Sequence, residues 1–282
     1  MGFQFYGWQT ASVTDDHGLT PREYYLLLSR LWCADTCAPR MRGAWTEENK
    51  TLGQCSITAF LMQDIYGGKV YGVPLGDGNF HCFNDVNGCV FDLTSEQFGS
   101  EKLDYTHCPE QDRSQHFAKE EKYERYLKLR DALMKARPRI SPMDPAHIEI
   151  YGRIYAAAFQ CPPWNDPWDP KDAEKHVRES MDSAQSYGLE ISMDGEVAGF
   201  ILGSSCLFHD GRAFEIQDLA IDPAWQGRKY ASMLLERCKF DLAAQGIRRL
   251  MLITSGDGFL PEFYAQHGFR REDEVILMGM QM

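Results

Sequence analysis

Residues 214–231 read FEIQDLAIDPAWQGRKYA, and this stretch decides the fold of the C-terminal half of the chain. The apolar residues of 214–221 predict a strand, Asp222-Pro223 ends it, and helix-forming sequence begins at Tyr230. The turn between them, 226–231, presents backbone N–H groups at the N-terminus of a helix, which is an anion-binding arrangement. The stretch therefore predicts a strand–turn–helix unit that binds an anion.

The sequence around this unit alternates predicted helices and strands, which is typical of a mixed α/β fold. The helix that follows the turn carries an apolar stripe suited to packing on a sheet. The other predicted elements are helices over 146–159, 171–184 and 261–266, a hairpin over 189–202, and strands over 249–254 and 274–280.

Residues 139–282 resemble the GNAT family of acyl-CoA N-acyltransferases, whose phosphate motif is Gln/Arg-x-x-Gly-x-Gly/Ala. Gln226 and Ala231 match the first and last positions, but Lys229 stands where glycine is usual. The resemblance implies acetyl-CoA as cofactor and a mixed sheet in which two parallel strands separate around the pantetheine arm. A helical φ at Lys229 would keep its backbone N–H available, and its ammonium would add positive charge.

The resemblance also implies roles for individual residues. Tyr264, in F-Y-x-x-x-G-F, would protonate the thiolate, and Glu215 would act as base, often through water. Tyr264 could instead be a packed aromatic and Glu215 a salt-bridge residue. Asp218 lies on the opposite strand face from Glu215 unless a bulge intervenes. Implied cofactor contacts are Leu219, Ala220, Ile221, Gln226, Gly227, Arg228, Lys229, Tyr230, Ala231 and Asp257.

The acceptor side is indicated by CPPWNDPWDP, residues 161–170. Asp166 with Trp164 and Trp168 resembles an acceptor loop of aminoglycoside-type and small-amine members of the family. The alternative is a packed loop rich in proline and tryptophan. The implied reaction is direct attack by a primary amine of a small molecule or peptide on the thioester.

The N-terminal half has a second candidate site. Gly53-Gln54-Cys55 begins an apolar helix, and a helix N-terminus favours the thiolate form of cysteine. A hairpin turn at Asn87-Gly88 would place His81 and Asp92 as diagonal neighbours on one sheet face. Cys, His and Asp then occur in the chain order of papain-like and transglutaminase-like enzymes. The alternative is a buried core thiol beside a satisfied sheet histidine.

Residues 20–135 resemble the small, uncharacterised YunG-like family through W-C-x-x-T-C-x-P (32–39), L-G-Q-C-S-I-T-A (52–59) and D-L-T-x-E-Q-F (92–98). A charged helix over 117–137 ends at Pro138, where we place the domain boundary. The predicted domains are 1–137, a YunG-like and cysteine-hydrolase-like α+β domain ending in a linker helix, and 138–282, a GNAT domain. The fold class is α/β, with α+β character in the N-terminal part.

The amino-acid composition limits the classes of partner that we expect this protein to bind. The formal net charge of −12 disfavours nucleic acid and anionic membranes, and no apolar run is long enough to span a bilayer. The start of the chain has no signal-peptide pattern, so the nine cysteines are expected as free thiols in the cytoplasm. We predict no metal site, because the following zinc candidates lack finger spacing: Cys33, Cys37, His81, Cys82, His107 and Cys108.

Three functions remain open from the sequence. The first is acetyl transfer from acetyl-CoA to a primary amine. The second is a cysteine amidase or peptidase in the N-terminal half, with a CoA-binding, regulatory C-terminal half. The third is a non-catalytic CoA sensor. The resemblance to GNAT proteins, which often dimerise, also leaves a homodimer open.

Overall fold

A computed structural model describes residues 4–76, 78–272, 274 and 278–280. Residues 275–277 of the predicted strand over 274–280 lie outside the described residues. The helices are α1 (Pro21–Leu28), α2 (Cys55–Tyr66), α3 (Arg113–Phe117), α4 (Glu120–Ala136), α5 (Ile148–Phe159), α6 (Pro170–Met181), α7 (Tyr230–Ala244) and α8 (Leu260–Gln266). The strands are β1 (Lys69–Pro74), β2 (Phe80–Val86), β3 (Cys89–Phe91), β4 (Arg139–Pro142), β5 (Ser186–Met193), β6 (Glu196–Phe208), β7 (Gly211–Ile221) and β8 (Arg249–Leu252).

The C-terminal half is built on a five-stranded sheet in the order β4-β5-β6-β7-β8. Its pairs are antiparallel except β7 with β8, which is parallel. Helix α7 packs on one face, while α5 and α6 pack on the other. The predicted mixed α/β fold is confirmed. Sequence reasoning missed β4, because a four-residue strand that follows Pro138 and ends at Pro142 gives too short a pattern to recognise.

A bulge in β7 changes which side chains share a face. Asp218 lies opposite Leu202, whereas Ile216 lies opposite Gly203, so Gln217 is the extra residue. Leu202 and Ser204 are two apart on β6 and therefore share a face. Their partners Asp218 and Glu215 consequently point to the same face, towards α5 and α6. A regular strand would have put these two carboxylates on opposite faces.

The N-terminal half contains a three-stranded antiparallel sheet, β1-β2-β3, with α2 packed on it. Val86 pairs with Cys89 across the turn, as the Asn87-Gly88 signal predicts. Both turn residues have positive φ, 55° at Asn87 and 86° at Gly88, which suits a tight hairpin turn. The register of β2 against β3 is therefore the predicted one.

The two halves share one continuous apolar core. Helix α1 packs against α7, and buried residues of both halves belong to the same cluster. The Arg22 guanidinium lies 4.3 Å from the ring centroid of Phe240, and Arg237 donates a hydrogen bond to the carbonyl of Gly18. Either half alone would expose part of this core to water, at a cost of about 25 cal/mol per Å² of apolar surface.

Candidate functional site

A cavity of about 440 Å³ lies at the C-terminal end of β7. Its walls come from the end of β7, the turn that follows it, the first turn of α7, helix α8 and the loop after α5. The structure therefore gathers most of the predicted cofactor residues around one space. Those in its wall are Leu219, Ile221, Gln226, Gly227, Lys229, Tyr230 and Ala231, together with Tyr264.

Strands β7 and β8 separate beside this cavity. They pair from Ala213 with Arg249 to Ile216 with Leu252, but among the described residues β7 continues to Ile221 alongside β6 only. The edge of β7 over 217–221 therefore presents backbone groups that β8 does not occupy. Such an edge can pair with an extended, amide-containing ligand. The Ala220 side chain packs on the opposite face, against α5 and α6, so only its backbone can contribute.

The turn before α7 forms the second wall. Helix α7 begins at Tyr230 and receives no side-chain cap from Lys229. The backbone N–H groups of its first turn have no intrahelical acceptor, and residues of that turn line the cavity. The Gln226 side chain donates to the carbonyl of Ile221 at 3.2 Å and ties the turn to the strand. The helix start is thus held open as an anion site.

Lys229 does not have the helical φ that we considered from the sequence. Its φ of 67° and ψ of 11° place it in the left-handed region, where the family motif has glycine. A side chain in this conformation costs roughly 1–2 kcal/mol. The departure from the motif is therefore a strained position, and the Lys229 side chain is exposed.

Lys229→Gly is expected to raise the free energy of unfolding by about 0.5–1 kcal/mol, because relief of the left-handed strain exceeds the entropy cost of glycine. Denaturant unfolding of the two proteins measures this difference. Lys229→Ala is the matched control, since it removes the same charge and keeps the strain. Equal stability of the glycine and alanine variants would contradict the strain.

Besides Ala220, three predicted site residues of the C-terminal half lie outside the cavity wall. Arg228 is exposed, with its guanidinium 4.5 Å from the Trp225 ring centroid. Asp257 is exposed on a loop, where its backbone N–H donates to Ser255 Oγ at 3.1 Å. Glu215 is half-buried on the face of the sheet that carries Asp218. The roles of these residues stay predictions.

Tyr264 lies on α8 and faces the cavity. Burial raises the pKa of its hydroxyl to about 12, so the group is protonated at neutral pH. Helix α8 is fixed to α7 by His267, whose Nδ1 lies 2.7 Å from Glu236 Oε1 and whose Nε2 lies 3.1 Å from Ser232 Oγ. Sequence reasoning missed this pair, because 31 residues separate the partners and no local pattern links them.

An acidic, aromatic region adjoins the sheet face that carries Asp218. Asp218 is 3% exposed; its Oδ1 lies 3.3 Å from His176 Nε2, and its Oδ2 has no hydrogen-bond partner among the described residues. The Tyr155 ring centroid lies 5.1 Å from that of Trp168. Burial raises the pKa of the Tyr155 hydroxyl, and the charges of Asp218 and Asp166 raise it further by smaller amounts. A second cavity, of about 210 Å³, is lined by Asp166, Pro167, Trp168, Asp169 and Asp172.

The N-terminal candidates also come together. Cys55 is the first residue of α2, His81 lies on β2, and Asp92 follows β3 directly. His81 Nε2 lies 2.6 Å from Asp92 Oδ2, and both side chains are 1% exposed. The predicted contact between His81 and Asp92 is confirmed, while its chemical role stays a prediction.

Among the described residues, no three or more His, Cys, Asp and Glu side chains are arranged to hold a metal ion. No helix there combines the length and apolar character needed to cross a membrane.

Comparisons with known proteins agree with the division of the chain into two parts. Residues 20–137 match the YunG protein family model, and residues 151–269 match the model of the acetyltransferase (GNAT) family. The chain is 38% identical to uncharacterised protein YunG of Bacillus subtilis over 91 residues, which are 32% of this chain and 76% of the relative. It is 28% identical to an acetyltransferase of Sodalis glossinidius over 121 residues, 43% of this chain and 78% of that protein.

Among solved structures, one similar protein is a predicted acetyltransferase from Clostridium acetobutylicum, crystallised with acetyl-CoA. The two are 15% identical with a TM-score of 0.44, over 51% of this chain and 96% of that one. Both resemblances expected from the sequence are confirmed by the family models. The chain therefore belongs to the YunG family through its N-terminal half, and residues 151–269 form a GNAT-type N-acyltransferase domain, a type of enzyme that uses acetyl-CoA.

Proposed function

We propose that this protein transfers an acetyl group from acetyl-CoA to a primary amine of a cationic small molecule or peptide. The observation that carries this proposal is the cavity itself. It joins the free edge of β7, the start of α7 and the hydroxyl of Tyr264 in one space. These are a site for amides, a site for an anion and a proton donor, which are the three features that an acyl-CoA donor requires.

The residues present fit this cofactor. The backbone at Leu219 and Ile221 would pair with the pantetheine amides, because β8 leaves that edge free. The turn over 226–231 would hold the pyrophosphate at the N-terminus of α7. When bound, acetyl-CoA supplies the thioester carbonyl that the amine attacks.

Two side chains, Tyr264 and Glu215, transfer protons in the proposed reaction. Tyr264 holds a proton on a hydroxyl whose raised pKa keeps it available at neutral pH, and it donates this proton to the leaving sulfur. Glu215 accepts the proton of the incoming amine, through water, from the same sheet face as Asp218. Backbone N–H groups of β7 are placed to polarise the carbonyl.

The acidic region around Asp218 supports a cationic acceptor. One oxygen of this buried carboxyl lies beside His176, whose pKa it raises, and the other has no partner among the described residues. The second oxygen therefore remains to accept a hydrogen bond from an ammonium group. The rings of Tyr155 and Trp168 add faces that attract an ammonium group. The net charge of −12 favours approach of the same class of compound.

The test is amine-dependent release of CoA thiol from acetyl-CoA by the full chain. Spermidine, an aminoglycoside and a lysine ester serve as cationic acceptors, with glutamate as an anionic one. We expect turnover with at least one cationic amine at about a hundredfold or more above glutamate, because a buried carboxylate discriminates by charge. Release of thiol that no amine accelerates would contradict the proposal.

A further inference from the structure

We propose that Cys55 is the nucleophile of a second active site, in which His81, oriented by Asp92, exchanges protons during hydrolysis of a carboxamide. This site lies in the N-terminal half and takes no part in acetyl transfer. Its parts come from three separate elements: the start of α2, strand β2 and the residue after β3. A nucleophile, a base and an orienting group are the minimum set for this chemistry.

The histidine of the site is held rigidly. His81 Nε2 lies 2.6 Å from Asp92 Oδ2. Asp92 also accepts hydrogen bonds from the Thr94 backbone N–H and hydroxyl, both at 3.0 Å, and from the Tyr105 hydroxyl at 2.9 Å. Since Nε2 is occupied by the carboxylate, Nδ1 is the nitrogen left to exchange a proton with the sulfur. This arrangement fixes both the orientation and the protonation of the ring.

The thiol is activated by its surroundings. Hydrogen bonds from Cys82 and then from His81 outweigh burial and lower the pKa of Cys55 well below its usual range. Burial opposes the charge on His81, but Asp92 and Cys55 outweigh it and raise the pKa of His81 to about 10. The two shifts together favour a thiolate–imidazolium pair. The Cys55 residue is half-buried.

Donors for a developing oxyanion lie at the same place. The backbone N–H groups in the first turn of α2, beginning at Cys55, have no intrahelical acceptor, and Gln54 gives no side-chain cap. The Gln97 amide lies between the histidine and this helix start, with Nε2 3.4 Å from His81 Nδ1 and Oε1 3.5 Å from the Gly53 nitrogen. Preorganised donors of this kind stabilise the tetrahedral state of acyl transfer.

The charges that face the sulfur indicate the class of substrate. Burial lowers the pKa of Lys122, and the nearby Cys82 and Cys55 partly oppose this effect. Its Nζ lies 3.0 Å from His116 Nδ1, and burial together with Lys122 lowers the pKa of His116 to about 4, so that imidazole is neutral. The Lys122 side chain, on α4, therefore lies near the sulfur. This favours a carboxamide with a nearby carboxylate.

The reaction balances with water as the only co-reactant. Cys55 Sγ attacks the amide carbonyl, the C–N bond breaks, and His81 gives its proton to the departing amine. Water then attacks the thioester, His81 takes a proton from it, and the carboxylic acid leaves as the thiolate is restored. The released amine is the class of compound that the C-terminal half is proposed to acetylate. That link rests on the proposed function, whereas the cysteine site does not.

The first test is alkylation of the fully reduced, full-length protein, with peptide mass spectrometry to locate each modified cysteine. Between about pH 8.5 and pH 6, the iodoacetamide rate at the exposed Cys206 is expected to fall about a hundredfold, and that at Cys55 less than about threefold, because only a low-pKa thiol stays ionised. Iodoacetate should favour Cys55 over Cys206 by a further factor of about ten, because Lys122 attracts its carboxylate.

The second test is acylation by p-nitrophenyl acetate. We expect a burst of p-nitrophenolate and an acetyl group on Cys55, both absent from Cys55→Ala and both present in the matched control Cys206→Ala. In the His81→Gln variant, the alkylation rate at Cys55 should depend on pH in the same way as the alkylation rate at Cys206. If wild-type Cys55 already follows the profile of Cys206, or if Cys55→Ala keeps the burst, the proposal is overturned, and neither result depends on how the histidine variant folds.

Discussion

Tyr264→Phe is expected to lower kcat for acetyl transfer about a hundredfold, while the Kd for acetyl-CoA changes by less than about twofold. The substitution removes only the hydroxyl and keeps the ring that lines the cavity and packs beside Phe269. The leaving thiolate then has no side-chain proton donor, whereas binding surfaces stay in place. Steady-state kinetics with a cationic amine, and calorimetry with acetyl-CoA, measure the two quantities separately.

Tyr187→Phe is the matched control for this experiment. Tyr187 lies on β5, and its hydroxyl donates to Asp241 at 2.6 Å, away from the cavity wall. Its loss should leave kcat unchanged. If Tyr264→Phe weakened acetyl-CoA binding as much as it slowed turnover, the hydroxyl would have a packing role and not a catalytic one.

Asp218→Asn is expected to lower kcat/KM for a cationic amine about a hundredfold, mainly by raising KM, because a desolvated ion pair is worth about 2–5 kcal/mol. The amide keeps the size of the side chain and an oxygen that can stay beside His176. It removes the charge that would pair with the acceptor. Kinetics with spermidine, alongside binding of acetyl-CoA, separate acceptor recognition from cofactor recognition.

Two control experiments distinguish recognition of the acceptor's charge from a structural role of Asp218. Asp172→Asn removes an exposed carboxylate from the second cavity, where solvent screens the charge, so its effect should stay below about threefold. Aniline, which is uncharged at neutral pH, should lose little activity with Asp218→Asn. An equal loss with aniline and spermidine would show that Asp218 supports the fold of the site and does not recognise the charge of the acceptor.

The sequence predicted the C-terminal site where a motif maps directly onto backbone. The resemblance to the GNAT motifs identified Gln226, Ala231 and Tyr264, and all three line the cavity. The bulge at Gln217 carries no such signal, so the shared face of Glu215 and Asp218 required the register of β6 against β7. The left-handed Lys229 was missed because a lysine gives no indication of positive φ.

Contacts between residues that are far apart in the chain could not be predicted from the sequence either. Asp218 and His176 are 42 residues apart, and nothing in either neighbourhood indicates the other. In the N-terminal half, the hairpin turn fixed the register that joins His81 to Asp92, so this pair could be predicted. The approach of Lys122 from α4 depends on how α4 packs against α2, which no local pattern determines.

The joint core of the two halves was not predicted either. The sequence shows a break at Pro138, yet the backbone N–H of Ile140 donates to the carbonyl of His17 at 2.9 Å, and α1 packs on α7. An apolar stripe on a helix shows that a face is buried but does not name its partner. The packing of the two halves around one core is thus a result of the tertiary structure.

The central claim is that the cavity between β7, α7 and α8 supports transfer of acetyl groups to a cationic amine. Its most direct test is mass spectrometry of the acceptor after incubation of the full chain with acetyl-CoA and spermidine, with free CoA measured in parallel. We predict N-acetylated spermidine and CoA in equal amounts, and their loss together in Tyr264→Phe. CoA released without acetylated amine, or no product with any cationic amine, would contradict the claim.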